Sequence, residues 1–262
     1  MGAYFYSNAA PSALARLLGL EALEDGATIE ILKGVGIQSD WKCLELGAGA
    51  GSIAYWLAET TGVPGNVCAT DIDVGLLDSR RCDVHRHDLR VDSLPSSAYD
   101  LVHFRHLLIH LPMTEHPDIL RRLLSVTRPG GLIVAEESDL HTWRAATSST
   151  VTKARIFNDG IAALHEIYTK RGLDTAVGTK LSRMLHQSGW SDISQSARTW
   201  RVKGGTPEAE FHVRSMRQLA ESCESTFADL ADCVRSAALC CEDPDFEYHS
   251  RTTLAAVARR AS

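Results

Sequence analysis

Between positions 41 and 137 short apolar runs alternate with segments of helical spacing, and beyond about 140 the chain turns mainly helical before it returns to strand. That alternation is the pattern of a mostly parallel sheet with helices on both faces. The spacing predicts strands at Trp41–Glu45, Asn66–Thr70, Asp83–His87, Tyr99–Phe104 and Leu132–Glu136, each short and bounded by Gly, Pro, Asp or Ser. Helical spacing falls at Ser52–Thr61, Val74–Ser79, Leu107–Leu111 and Pro117–Thr127, and Arg128-Pro129-Gly130-Gly131 predicts a hard turn into the fifth strand.

Further along, Thr147–Arg171 predicts a long helix and Thr179–Ser188 a second one stopped by Gly189. Asp192–Lys203 alternates like a strand, Pro207–Cys241 is helical again, and Thr252–Ala258 fits a last strand. At the start, Tyr4-Phe5-Tyr6 leads into an amphipathic stretch over Ala13–Leu20. The expected organisation is an N-terminal helical arm over 1–36, a ligand-binding core over 37–140, a helical lid over 141–190, and strands and helices completing the core over 191–262.

Composition narrows the classes. With 262 residues the chain can bury a full core without disulfides or a structural metal. It carries 27 Lys+Arg against 33 Asp+Glu, a net charge of −6, which argues against nucleic acid as a partner because phosphate binding needs clustered cations. The first residues show neither a charged, then apolar leader nor a membrane-spanning run, so no membrane partner is expected and the expected location is the cytoplasm. The seven Cys form no C-x-x-C pair, which predicts buried reduced thiols.

The most informative stretch is Leu44-Glu45-Leu46-Gly47-Ala48-Gly49-Ala50-Gly51-Ser52. A strand ends in an acid and three alternate glycines open a helix, so backbone can approach a ligand with no Cβ in the way. The spacing is G-x-G-x-G rather than the G-x-G-x-x-G that cradles pyrophosphate, and no Lys-Ser/Thr follows as in a P-loop. A carboxylate there suits an ammonium group better than a pyrophosphate, which favours a nucleoside with a cationic amino-acid tail. Asp71 closes the second strand, where a carboxylate can accept both ribose hydroxyls, and Ile72 would pack on the adenine. Asp88, after the third strand and followed by Leu89, is placed to accept from the adenine amino group.

Together these residues resemble the class I S-adenosylmethionine-dependent methyltransferases. The resemblance rests on Glu45-x-Gly47-x-Gly49-x-Gly51, Asp71, Asp88, the run Tyr99-Asp100-Leu101-Val102-His103 with His110-Leu111-Pro112, and Arg128-Pro129-Gly130-Gly131. It looks nearest to the bacterial small-molecule enzymes of natural-product pathways, and Gly204-Gly205-Thr206-Pro207 and Asp243-Pro244-Asp245-Phe246 look like recurring features of that group's C-terminal part. It implies a Rossmann-like class I methyltransferase fold with a helical lid inserted after the fifth strand, and S-adenosylmethionine as cofactor with S-adenosylhomocysteine as product. Glu45, Gly47, Ala48, Gly49 and Gly51 would hold the methionine tail, with backbone near Phe104 and Arg105 completing that pocket. Asp71 and Ile72 would hold the ribose side, and Asp88 and Leu89 would frame the adenine.

Methyl transfer is an in-line displacement at a sulfonium, so a base is needed only for a hydroxyl or acidic carbon acceptor. Base candidates at the carboxyl ends of the fourth and fifth strands are His106, His110, Glu137 and His141, with Glu136 competing with Glu137 for the cleft. His106 stands where the resembling family has an apolar residue, whereas His110 matches the family pattern. The acceptor, a small molecule, would meet Tyr4, Tyr6, His106, His110, Trp143, Phe157 and Tyr168. The spacing of His103, His106 and His110 invites a metal, but His103 falls in a predicted strand and no carboxylate set accompanies it, so no metal is expected. Three competitors remain: an enzyme that uses the cofactor without transferring its methyl, as in a cyclisation; a scaffold that has lost its site; and a nicotinamide oxidoreductase. Ala13–Leu20 and Leu230–Cys241 are candidate surfaces for a homo-oligomer.

Overall fold

The computed structural model describes residues 5–6, 12–94 and 99–262. In chain order its elements are α1 (Ala13–Gly34), β1 (Cys43–Leu46), α2 (Ser52–Thr61), β2 (Val67–Asp71), β3 (Asp83–Arg86), β4 (Tyr99–Arg105), α3 (His116–Val126), β5 (Thr127–Asp139), β6 (Arg144–Ala145), α4 (Val151–Lys170), α5 (Val177–Gln187), β7 (Trp190–Arg198), β8 (Arg201–Lys203), α6 (Pro207–Cys223), α7 (Ala228–Glu242), β9 (Glu247–His249) and β10 (Thr252–Arg260). None of the described helices is long and apolar enough to cross a membrane.

The chain forms two compact units, neither continuous in sequence: one holds Glu24–Glu137, Val177–Ser196 and Leu254–Ser262, the other Met1–Leu23, Ser138–Ala176 and Ala197–Thr253. The expected boundaries at 36, 140 and 190 therefore shift. α1 begins in the helical unit and ends in the sheet unit, Val177–Ser196 belongs with the sheet, and the helical part takes in Ala197–Thr253.

The sheet unit carries a seven-stranded sheet in the order β3-β2-β1-β4-β5-β10-β7. The pairs β3–β2, β2–β1, β1–β4 and β4–β5 are parallel, so their carboxyl ends lie along one edge, where open α/β sheets bind ligands. β1 and β2 are buried throughout, as strands covered on both faces must be. Leu32, Ile53, Leu57, Val67, Leu101 and Val134 are the heart of its core.

Sequence periodicity places α2, α3, α4 and α5 to within a few residues. Val74–Ser79 is turn rather than helix, because Asp73 and Asp78 accept local backbone N–H groups and hold the chain in turns. Arg128-Pro129-Gly130-Gly131 is the irregular opening of β5, with a register shift against β4, rather than a turn that precedes it.

The helical unit packs α4 against α7 and α7 against α6, with the small antiparallel sheet β6-β9-β8 beside them. Gly160 lets α4 approach α7, since a Cβ there would lie 2.6 Å from the Cys233 carbonyl oxygen. Its core is aromatic: Phe157 lies 5.2 Å from Phe246 and 5.1 Å from Tyr248, and Trp143 lies 5.0 Å from His212. The two C-terminal motifs meet in space, for Gly204 N–H donates to Phe246 O at 2.8 Å and Gly205 N–H to Cys241 O at 2.9 Å. Thr206 then caps α6, with Pro207 in its first turn.

Candidate functional site

The glycine turn between β1 and α2 is a built object. Gly47, Gly49 and Gly51 have φ of 65°, 60° and 97°, a region that side chains with a Cβ rarely adopt. Below Gly51 lies Tyr55, one helical turn on, whose ring would overlap an added Cβ. The Tyr55 hydroxyl accepts Asp78 N–H at 2.6 Å and the Arg81 guanidinium lies 3.9 Å above its ring, so one side chain props both the glycine turn and the segment after β2. Ala48 N–H donates to Thr70 O at 3.0 Å and thereby ties the turn to the end of β2.

Asp71 completes that tie. Its Oδ2 accepts Gly49 N–H at 2.9 Å and its Oδ1 accepts Asp73 N–H at 3.0 Å. Burial raises its carboxyl above the ordinary value, and these two N–H groups work in the opposite direction. A carboxylate has about four acceptor positions, so the same two oxygens can also receive donors from a ligand, such as a ribose diol. Ile72, directly after it, is 37% exposed, an apolar side chain left at the sheet edge.

At the next strand end Asp88 is held in a fork by Arg90, with Nε to Oδ1 at 2.8 Å and Nη2 to Oδ2 at 2.6 Å. The guanidinium keeps this carboxyl below the ordinary carboxylate range. Asp88 is thus first an anchor for Arg90. Leu89 is buried, and its carbonyl accepts Arg122 Nη1 at 2.7 Å.

Beneath the glycine turn lies a chain of charges of which the sequence shows only the pieces. His103 is the register partner of Glu45 across β1–β4 and of Val134 across β4–β5; Glu136, two residues beyond Val134, shares its face. His103 Nδ1 lies 2.6 Å from Glu45 Oε2 and its Nε2 lies 3.2 Å from Glu136 Oε1, all three side chains being buried. Burial alone would push the imidazole down, but attraction to Glu45 and bonding to Glu136 prevail and lift it to about 9. Two carboxylates against one imidazolium leave a net negative charge under the turn, which suits a cationic ligand.

Glu137 holds the segment after β4: its Oε1 accepts Leu107 N–H at 2.8 Å and Leu108 N–H at 2.5 Å. His116, passed over in the sequence, secures the same segment, with Nε2 2.9 Å from Leu108 O and 3.0 Å from Leu111 O. His110 ends the short 3₁₀ turn Leu108–His110 thus held. Phe104 is fully buried within β4, and Arg105 reaches α1, donating to Asp25 at 2.8 Å and to Thr28 at 2.9 Å.

His106 is the outlier. Its φ of 52° is left-handed, uncommon for a residue with a side chain, and its N–H donates to Glu136 O at 2.8 Å. Its Nε2 lies 3.7 Å from Glu24 Oε1, both side chains being nearly inaccessible. Strained backbone of this kind persists where surrounding structure imposes it and is a mark of functional sites.

The remaining candidates lie in the helical unit or outside the described residues. Trp143 and Phe157 are core side chains, and Tyr168 is buried with its hydroxyl 3.1 Å from that of Tyr6. His141 stacks on His165 at 4.2 Å between centroids and bonds Thr175 Oγ1 at 3.0 Å through Nε2. Tyr4 lies outside the described residues. Among the described residues one trio of metal-donor side chains, Cys68, Asp83 and His85, comes within 4.8 Å on the β2–β3 pair; there His85 Nε2 and Asp83 Oδ2 are 2.8 Å apart and bonded to each other.

A family model described as a methyltransferase domain matches residues 4–195, nearly three quarters of the chain. The chain belongs to this methyltransferase family. S-adenosylmethionine is the family's cofactor, and the sheet order and glycine turn are those of its class I fold. No curated protein matches the sequence. Among solved structures, Haemonchus contortus phosphoethanolamine N-methyltransferase 2, bound to phosphomonomethylethanolamine and S-adenosylhomocysteine, aligns with a TM-score of 0.55 at 15% identity over 90% of this chain and 53% of its own. The chain thus spans about half the length of that enzyme. The YcgJ protein of Bacillus subtilis aligns with a TM-score of 0.56 at 10% identity over 88% of this chain and 97% of its own. The [4+2]-cyclase SpnF aligns with a TM-score of 0.50 at 15% identity over 86% of this chain and 77% of its own. At such identities the likeness of this chain to each of them is one of fold alone.

Proposed function

We propose that this methyltransferase binds S-adenosylmethionine at the carboxyl ends of β1, β2 and β4 and moves the sulfonium methyl, in line, to an oxygen, nitrogen or carbon atom of a small organic molecule, in bacterial secondary metabolism. The observation that carries the reading is the glycine turn clamped to Asp71 beside exposed Ile72, above the Glu45–His103–Glu136 charges. The turn gives the methionine tail backbone N–H groups and an unhindered approach. Net negative charge beneath it favours the ammonium group, Asp71 offers its carboxylate oxygens to the ribose, and Ile72 gives the adenine an apolar face.

The displacement needs no covalent help from the protein, because a sulfonium is already activated; alignment of nucleophile and methyl carbon supplies most of the acceleration. Where the acceptor is a hydroxyl or an acidic carbon, the proton goes to His106, whose partner Glu24 would stabilise the imidazolium that forms. The net charge of −6 makes a small molecule a better acceptor than nucleic acid.

A second reading has a specific observation in its favour, the alignment with SpnF, whose name is that of a cyclase. The two are separated by incubating the protein with methyl-labelled S-adenosylmethionine and a panel of phenols, amines and enolisable ketones. Methyl transfer yields labelled product and S-adenosylhomocysteine in equal amounts. Cofactor binding with conversion of a polyunsaturated substrate and no S-adenosylhomocysteine would replace our proposal with the cyclase reading.

A further inference from the structure

We infer that Arg16 anchors a site for a small organic anion, a carboxylate or a phosphate monoester, within the helical unit beside Tyr6 and Tyr168. Arg16 is 6% exposed, and its Nε and Nη2 atoms are buried without any hydrogen-bond partner among the described residues. A guanidinium stays charged at every working pH and carries five N–H donors. A fold seldom keeps such a group buried without an acceptor unless something supplies one.

Among the described residues none supplies it. The first turn of α1 has no acid, and neither does the sequence from Met1 to Pro11. Arg16 also sits at the positive end of the helix dipole, where a cation is disfavoured and an anion is favoured. Its described companion is the Tyr6 ring, 5.1 Å from the guanidinium carbon, which attracts the charge but accepts none of its hydrogen bonds in the plane.

Other features of the unit point the same way. The Tyr6 and Tyr168 hydroxyls meet at 3.1 Å, and Phe5 packs on Tyr168 at 5.3 Å. A second buried arginine, Arg251, is held by Ser138 at 2.8 Å and His212 at 3.2 Å. Burial raises the Tyr6 phenol, and both arginine charges act against that rise, so the positive potential reaches the hydroxyl. Arginine charge among aromatic rings suits an anionic group on an aromatic or apolar body better than a bare inorganic ion.

Calorimetric titration of the full chain with benzoate, phenyl phosphate and the neutral isostere benzamide tests this. Saturable binding of at least one anion with none of benzamide is expected, and the anion that binds identifies the source of the charge. Arg16→Met should weaken that anion at least tenfold and leave the anion-free unfolding midpoint unchanged or higher, since a buried lone charge is removed. Arg16→Lys should fall between the two. S-adenosylhomocysteine affinity should be the same in all three proteins, so loss of that ligand alone would count against the methyl-transfer reading and leave the anion site standing. Equal binding of benzamide, no binding of either anion, unchanged anion binding in Arg16→Met, or a lowered midpoint in that variant would overturn the inference.

Discussion

Glu45 and His103 lie opposite each other on neighbouring parallel strands, with Oε2 and Nδ1 2.6 Å apart and both side chains buried. Glu136 closes the imidazole from its other side at 3.2 Å. A histidine lifted to about 9 in the folded chain binds a proton that the unfolded chain releases near its ordinary value of 6.5. Its contribution is therefore complete below about pH 6.5 and is lost as pH rises to 9, an effect on the order of 3 kcal/mol. Urea unfolding between pH 6 and 10 should show this decline. His103→Gln should flatten it and, by leaving two buried carboxylates facing a neutral group, lower stability at pH 6 by about 3–5 kcal/mol.

Gly51→Ala tests the prop under the glycine turn. The substitution meets both a left-handed φ of 97° and the Tyr55 ring, so it should destabilise by about 2 kcal/mol or more and abolish cofactor binding. Adding Tyr55→Ala should recover only the steric part, leaving the backbone penalty. Thermal unfolding and S-adenosylhomocysteine titration on the single and double variants measure the division.

His106 combines strain with a candidate chemical role. His106→Gly should raise stability, or leave it unchanged, by relieving about 1 kcal/mol of backbone strain, while kcat falls about 10²–10⁴-fold if a base is required. His106→Ala should lose the same activity without the relief. A glycine variant of full activity would remove His106 from the proton path.

Trp143 and Phe157, aromatic candidates for the acceptor on sequence alone, are core residues of the helical unit. Truncating either to Ala should cost about 3–5 kcal/mol in urea unfolding. Unchanged stability with altered acceptor affinity would restore the substrate role.

The sheet is legible in the sequence because parallel strands buried on both faces are short apolar runs, and the glycine turn because its φ values exclude most side chains. α1 is legible only as far as Leu20, since Glu24 and Thr28, buried and turned toward partners far along the chain, interrupt the apolar spacing of a helix that continues to Gly34. Glu136 and Glu137 cannot be told apart without the strand boundary. The register shift at the start of β5 decides which faces His103 and which binds the Leu107 and Leu108 amides. Asp88 is visible as an acid at a strand end, yet its fork to Arg90 two residues away depends on a turn that the spacing does not encode. The two units interleave in sequence, so no compositional break marks them.

Calorimetric titration with S-adenosylmethionine and S-adenosylhomocysteine against NAD and NADP tests the proposal that the Asp71-clamped turn holds an adenosyl amino acid. Binding of the adenosyl compounds only is expected, weakened by about 1–3 kcal/mol in Asp71→Ala, as for a lost charge-assisted hydrogen bond. Binding of a nicotinamide cofactor instead, or Asp71→Ala affinity equal to that of the original chain, would contradict it.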